Sequence, residues 1–268
     1  MVDILCILLS GDTGRMDTVR KEEYMLEIKQ VTKKYGSTVA LSDVSLRFSK
    51  GEIIGLFGEN GAGKTTLMKC IFGFCRYDGE ITLDGEKIMG KNIEKLSFAT
   101  CEHSFFPSLT AKGHEAFYKE HFPKFREKRF HGLMEFFELP MNKKIRSFST
   151  GQKNQFEVIL ALCQGAEYIL MDEPFAGNDI FNREDFYKVL LGILEPEETV
   201  LLSTHLIEEV SGFIGRAVLL RGGEIVGDVL MAELEEQNKS LTEYIKQTYH
   251  YRPDRVGKAL AELGGTEE

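Results

Sequence analysis

From Tyr24 the chain alternates apolar and polar residues through YMLEIKQV and again through TVALSDVSLRF, the period-two pattern of half-buried antiparallel strands. IIGLF breaks that alternation with a continuous apolar run, which suits a strand covered on both faces. TTLMKCIFGF then has helical character, and GEITLDGEKI predicts a short hairpin around Asp84 and Gly85. From about Ser97 to Arg146 the composition shifts toward Phe, His, Lys and Glu in helix-like order. STGQKNQFEVILALCQGA reads as an amphipathic helix opened by Ser149, and YILMDEP as a central strand ending in two carboxylates. A helix over FNREDFYKVLLGIL, a strand over TVLLSTH and a hairpin turning at Gly222 and Gly223 follow, and AELEEQNKSLTEYIKQTY predicts one further helix. Strands alternating with helices after antiparallel strands predict an α/β fold with a mostly parallel sheet and an antiparallel β subdomain. A small helical subdomain is expected at about 97–150.

The length of 268 residues accommodates one compact domain, expected at 25–230, with a C-terminal helical tail at 231–268. Residues 1–24 read as an extension outside that domain, with Met16 and Met25 as alternative starts. MVDILCILLS lacks a basic flank and no small-residue cleavage site follows it, which argues against a signal peptide. A net charge of -9 argues against nucleic acid as a partner, because phosphate backbones are held by clustered Lys and Arg. The five cysteines, at 6, 70, 75, 101 and 163, form no CxxC pair and no paired zinc spacing, and they read as reduced thiols. No stretch approaches the roughly 18 apolar residues of a membrane helix.

The strongest chemical signal lies where the apolar run IIGLF meets its helix. GENGAGKT at 58–65 fits GxxxxGK followed by Ser or Thr, in the strand-to-helix setting the pattern requires. Gly58, Gly61 and Gly63 let the backbone N–H groups of the loop, which also includes Asn60 and Ala62 as binding positions, curl around a β-phosphate, and the helix N-terminus adds partial positive charge. Lys64 reaches the β and γ phosphates, Thr65 offers its hydroxyl to Mg²⁺, and Thr66 meets the α-phosphate. The anion implied is a nucleoside triphosphate. Hydrolysis also needs a carboxylate for the metal and a group that polarises water, and the strand end YILMDE supplies Asp172 and Glu173 for those tasks.

With these residues in place, SFSTGQ at 147–152 is the discriminating stretch. Phe148, Ser149, Thr150, Gly151 and Gln152 stand at the positions of the LSGGQ signature, and from about Leu26 to Asp228 the chain resembles the nucleotide-binding subunit of ABC transporters. That resemblance implies the ABC ATPase form of the P-loop fold, with ATP and Mg²⁺ as cofactors. It implies contact of Ser149, Gly151 and Gln152 with the nucleotide held by a second subunit, so that a complete site needs a dimer, either of identical chains or with a related ATPase subunit. Tyr35 falls where the family stacks an aromatic on adenine, and His205 matches the switch histidine of the γ-phosphate. Asp179 takes the aspartate place after DEP, although Asn178 replaces the usual Leu. Glu102 aligns with the metal-contacting glutamine; a carboxylate there still ligates Mg²⁺ and adds negative charge near the phosphates.

The order of blocks, including FPKFREKRFHGLMEFFELP, is similar to subunits of bacterial exporters. The resemblance therefore implies a separate transmembrane permease as partner and a peripheral place on the cytoplasmic face of the plasma membrane. Phe105, Phe106 and Phe117 are candidates either for the groove that receives the permease or for packing of the helical segment. The alternative function is a soluble ABC ATPase acting on the ribosome or nucleic acid without a permease. A GTPase is disfavoured because no NKxD sequence is present. Histidines 103, 114, 121, 131 and 250 lack a site-like setting and read as surface residues.

Overall fold

A computed structural model describes residues 26–100, 102–174 and 180–250. The chain opens with β1 (Leu26–Tyr35) and β2 (Thr38–Phe48), then β3 (Ile53–Phe57) leads into α1 (Lys64–Ile71). Next come β4 (Asp78–Leu83), β5 (Glu86–Lys87), β6 (Leu96–Ala99), α2 (Ala111–His121), α3 (Glu127–Phe136) and α4 (Thr150–Cys163). The second half runs through β7 (Tyr168–Asp172), α5 (Ile180–Ile193), β8 (Thr199–Ser203), α6 (Ile207–Val210), β9 (Arg216–Arg221), β10 (Glu224–Leu230), α7 (Met231–Glu236) and α8 (Leu241–Thr248).

Two sheets result. The four-stranded sheet, in the order β2-β1-β4-β5, is antiparallel throughout. The six-stranded sheet has the order β10-β9-β3-β8-β7-β6, with every pair parallel except β10 on β9. Its inner strands β3, β8 and β7 are mostly apolar because they serve two cores. In β7, Tyr168 and Leu170 join one cluster while Ile169 and Met171 join the other; in β9, Val218 and Leu220 part from Ala217 and Leu219 in the same way. The first core holds α1 and the antiparallel sheet against one face, and the second holds α4 against the other. Each large side chain so buried contributes about 1.5–3 kcal/mol.

Two expectations need adjustment. The segment from about Ser97 begins with β6, whose four residues are all buried and pair with β7, and the helices start at Ala111. The single tail helix is two: Asn238 turns to φ 50, and Ser240 opens α8 with a reciprocal cap in which its hydroxyl accepts from the Glu243 N–H at 3.2 Å and the Glu243 carboxylate accepts from the Ser240 N–H at 2.9 Å. Good helix formers on both sides of QNKS hide that restart in the sequence. Among the described residues no helix is long and apolar enough to cross a membrane.

Candidate functional site

The loop between β3 and α1 is tight because neighbouring strands close on it. A Cβ added at Gly58 would lie 2.4 Å from the Leu220 carbonyl oxygen, and one at Gly63 would lie 2.6 Å from that of Ala40. Gly63 also holds φ 111, in the left-handed region, as the residue that caps α1. It provides no side-chain cap, and the first turn of α1 carries no acidic residue. The leading N–H groups and the positive end of the helix are thus left for an anion. Lys64, 7% exposed, folds back over the loop and donates to the carbonyls of Gly58 at 2.8 Å and Glu59 at 3.4 Å.

Register brings the carboxylates to the same end of the sheet. Asp172 closes β7 beside Ser203 of β8, and the Ser203 hydroxyl donates to Asp172 Oδ1. Thr65, from the first turn of α1, donates to Asp172 Oδ2 at 2.5 Å. Glu173 follows with φ 46, its N–H donating to the Ser203 carbonyl at 3.1 Å and hydroxyl at 3.2 Å. That turn directs its carboxylate to His205, whose Nδ1 lies 3.0 Å from Glu173 Oε2. The structure therefore joins Thr65, Asp172, Glu173 and His205 through short contacts at the mouth of the phosphate loop. Ser203 is the residue the sequence reading passed over; its only trace is a polar residue ending the apolar run TVLLS.

Thr65 and Asp172 present hard oxygen donors side by side, a donor set that suits Mg²⁺. Glu102 is largely exposed and pairs at 2.7 Å with Lys69, one turn along α1 from Thr65. This hydrogen bond raises the Lys69 pKa, and Tyr35 and Asp172 add to the effect from within electrostatic reach. Tyr35 ends β1, half exposed, with Lys33 Nζ 4.5 Å from its ring centre. Asp179 falls outside the described residues.

Ser149 starts α4 through a reciprocal cap with Gln152, its hydroxyl accepting from the Gln152 N–H at 3.2 Å and its own N–H donating to Gln152 Oε1 at 3.0 Å. Ser149 and Thr150 are exposed, while the preceding Phe148 is buried and meets Phe156 edge-on. An aromatic at 148 thus anchors the entry to the helix. Further along α4, Glu157 is 2% exposed and accepts from Ser104, from its N–H at 3.0 Å and its hydroxyl at 2.5 Å. Burial raises its pKa. Glu157 ties the helix that begins at Ser149 to the loop that carries Glu102, a link signalled only by one charged residue inside the apolar run FEVILALC.

Among the aromatics, Phe105 is buried against Phe156, whereas Phe106 is 48% exposed and meets half-buried Phe117 edge-on at 5.2 Å. Contrary to its expected surface position, His114 is fully buried. Its Nε2 accepts from the Phe106 N–H at 2.9 Å, which leaves Nδ1 to donate to the Thr110 carbonyl at 2.9 Å and fixes the neutral ring. Burial lowers its pKa, as it does for His103. Folded His114 binds a proton less readily than in the unfolded chain, so its contribution is present above about pH 6.5 and is lost as pH falls from there through the lowered folded value. Denaturant titrations at pH 7.5 and 5.5 should show a smaller loss of stability on acidification for His114→Gln than for the wild type.

Residues 41–176 match the family model described as "ABC transporter". The chain is 31% identical over 226 residues to "ABC transporter ATP-binding protein YtrB" of Bacillus subtilis (strain 168), covering 83% of this chain and 75% of that protein. It is 30% identical over 246 residues to "Phosphonates import ATP-binding protein PhnC" of Wolinella succinogenes, covering 82% and 87% of the two chains. Among solved structures, a dimeric ATP-binding cassette in a post-hydrolysis state with ADP and phosphate superposes with a TM-score of 0.67 at 26% identity, covering 77% of this chain and 99% of that one.

Proposed function

This chain belongs to the ABC transporter family as an ATP-binding, ATP-hydrolysing subunit, and from that premise we propose that two copies close around two Mg·ATP to drive a separate transmembrane permease. The observation that carries the reading is the division of labour within one chain. A phosphate loop, Asp172, Glu173 and His205 gather at one end of the sheet, and the exposed cap Ser149 opens a second helix N-terminus. In the dimer Ser149, Gly151 and Gln152 meet the γ-phosphate held by the partner copy.

The proposed cycle assigns each group a task. Gly58 to Gly63 and the N-terminus of α1 hold the phosphates, Thr66 the α-phosphate, and Tyr35 stacks on adenine. Lys64 leaves the Gly58 and Glu59 carbonyls for the β and γ oxygens. Thr65 and Asp172 hold Mg²⁺, which when bound neutralises developing phosphate charge. Glu173 polarises the attacking water, and His205, held at 3.0 Å, keeps its carboxylate oriented toward the γ-phosphate. Glu102, whose Oε1 accepts from Lys69, would be a further oxygen ligand for Mg²⁺. Asp179 is assigned to the dimer interface. Hydrolysis then severs the γ-phosphate that bridges the two chains, and its departure lets them separate.

Chelation of Mg²⁺ should abolish hydrolysis, and Asp172→Asn should raise the Mg²⁺ concentration for half-maximal rate by about tenfold or more, since a charge-assisted contact is worth roughly 1.5–3 kcal/mol. An unchanged Mg²⁺ requirement would remove Asp172 from the metal shell.

The proposed location is the cytoplasmic face of the plasma membrane, with export as the direction. The exporter-like blocks before the signature support export, although the phosphonate relative is named for import. Exposed Phe106, backed by Phe117, is the proposed docking residue for the permease. Pull-down with membrane proteins, weakened by Phe106→Glu at unchanged ATP affinity, tests the partner; recovery with ribosomes or DNA instead would favour the alternative function.

A further inference from the structure

Two sulfurs at the far end of α1 have no part in the reading above. The helix ends in a left-handed turn at Gly73, φ 78, with the Phe74 N–H donating to the Lys69 carbonyl at 2.9 Å and the Gly73 N–H to the Cys70 carbonyl at 3.0 Å. These two bonds make a Schellman termination, which folds the chain back along the helix it has just left. The residue after that turn, Cys75, consequently returns to Cys70, and the Sγ atoms stand 3.3 Å apart. Cys70 is fully buried beside Leu67 and Met68, and burial drives its pKa far up. Cys75 is partly exposed. One thiol thus meets solvent while its neighbour waits behind it.

We propose that Cys70 and Cys75 form a peroxide-reactive dithiol, in which Cys75 is the reacting sulfur and Cys70 the resolving one. Cys75 thiolate attacks a peroxide oxygen, the O–O bond breaks, and Cys75 sulfenic acid forms with release of water. Cys70 sulfur then attacks the sulfenic sulfur; its proton leaves with the hydroxyl as a second water, and the S–S bond closes. The sum is two thiols and one hydrogen peroxide giving one disulfide and two waters. Closure needs the sulfurs to approach from 3.3 Å to about 2.0 Å, a movement that a side-chain rotation and the Gly73 turn can take up. The buried partner stops the oxidation ladder at its reversible rung, because sulfenic acid captured as a disulfide is not carried on to sulfinic acid.

Trypsin provides a direct readout, since cleavage after Lys69 and Arg76 releases Cys70–Arg76, which contains both sulfurs. The full chain is treated with hydrogen peroxide, blocked with an alkylating agent and digested without reductant. The expected wild-type product is this peptide lighter by two hydrogens and unalkylated, restored to two alkylatable thiols by dithiothreitol. Cys70→Ala should instead accumulate Cys75 carrying two oxygens, which dithiothreitol does not remove. Cys75→Ser, at the more exposed position, should leave Cys70 reduced at the same peroxide dose. Recovery of the wild-type peptide with both thiols alkylated, or with Cys75 over-oxidised as fast as in Cys70→Ala, would overturn the proposal.

Discussion

Replacing Glu173 by Gln should lower kcat for ATP hydrolysis by about 10²–10⁴-fold while ATP affinity stays within a few-fold, the range expected when a positioned general base is lost. The amide preserves the shape that φ 46 and the two contacts to Ser203 impose, so the substitution removes proton affinity without disturbing the strand end. It also converts the charged partner of His205 into a neutral one. Single-turnover hydrolysis alongside equilibrium nucleotide binding separates the two quantities. A kcat within threefold of wild type would move the general base to another residue.

Lys64→Ala should give the opposite pattern, with ATP affinity falling by about 10–150-fold, because a hydrogen bond to a charged group is worth roughly 1.5–3 kcal/mol. The side chain is already held at the loop, 7% exposed and donating to Gly58 and Glu59, so little conformational freedom is lost when it turns to the phosphates. Its removal also takes a donor from the Gly58 carbonyl, while the Glu59 carbonyl still accepts from the Ala62 N–H at 3.0 Å. A melting curve should accompany the binding measurement to show that the loss lies in the site rather than in the fold. Titration calorimetry with unchanged affinity would contradict the placement of Lys64 on the phosphates.

These two residues were legible because their chemistry forces a local pattern. Glycines at 58 and 63 are required by the carbonyls of Leu220 and Ala40, and a lysine after them can reach only what the loop holds. The mostly parallel sheet was legible for a similar reason: strands serving two cores must be apolar on both faces, and YILMD and TVLLS are. What escaped depends on partners distant in sequence. Ser203 matters because register sets it beside Asp172. Glu157 matters because Ser104 folds onto α4, and the His114 ring packs edge-on against Phe156 of the same helix. The pairing of Cys70 with Cys75 depends on the turn at Gly73, which a spacing rule based on CxxC does not register.

The proposed cycle stands on ATP-dependent closure of two copies, and the most direct test is the molar mass of the Glu173→Gln chain by size-exclusion chromatography with light scattering. Without nucleotide it should elute as a monomer, and with Mg·ATP as a dimer that Mg·ADP does not form. A chain that binds Mg·ATP and still elutes as a monomer would contradict closure of two identical subunits.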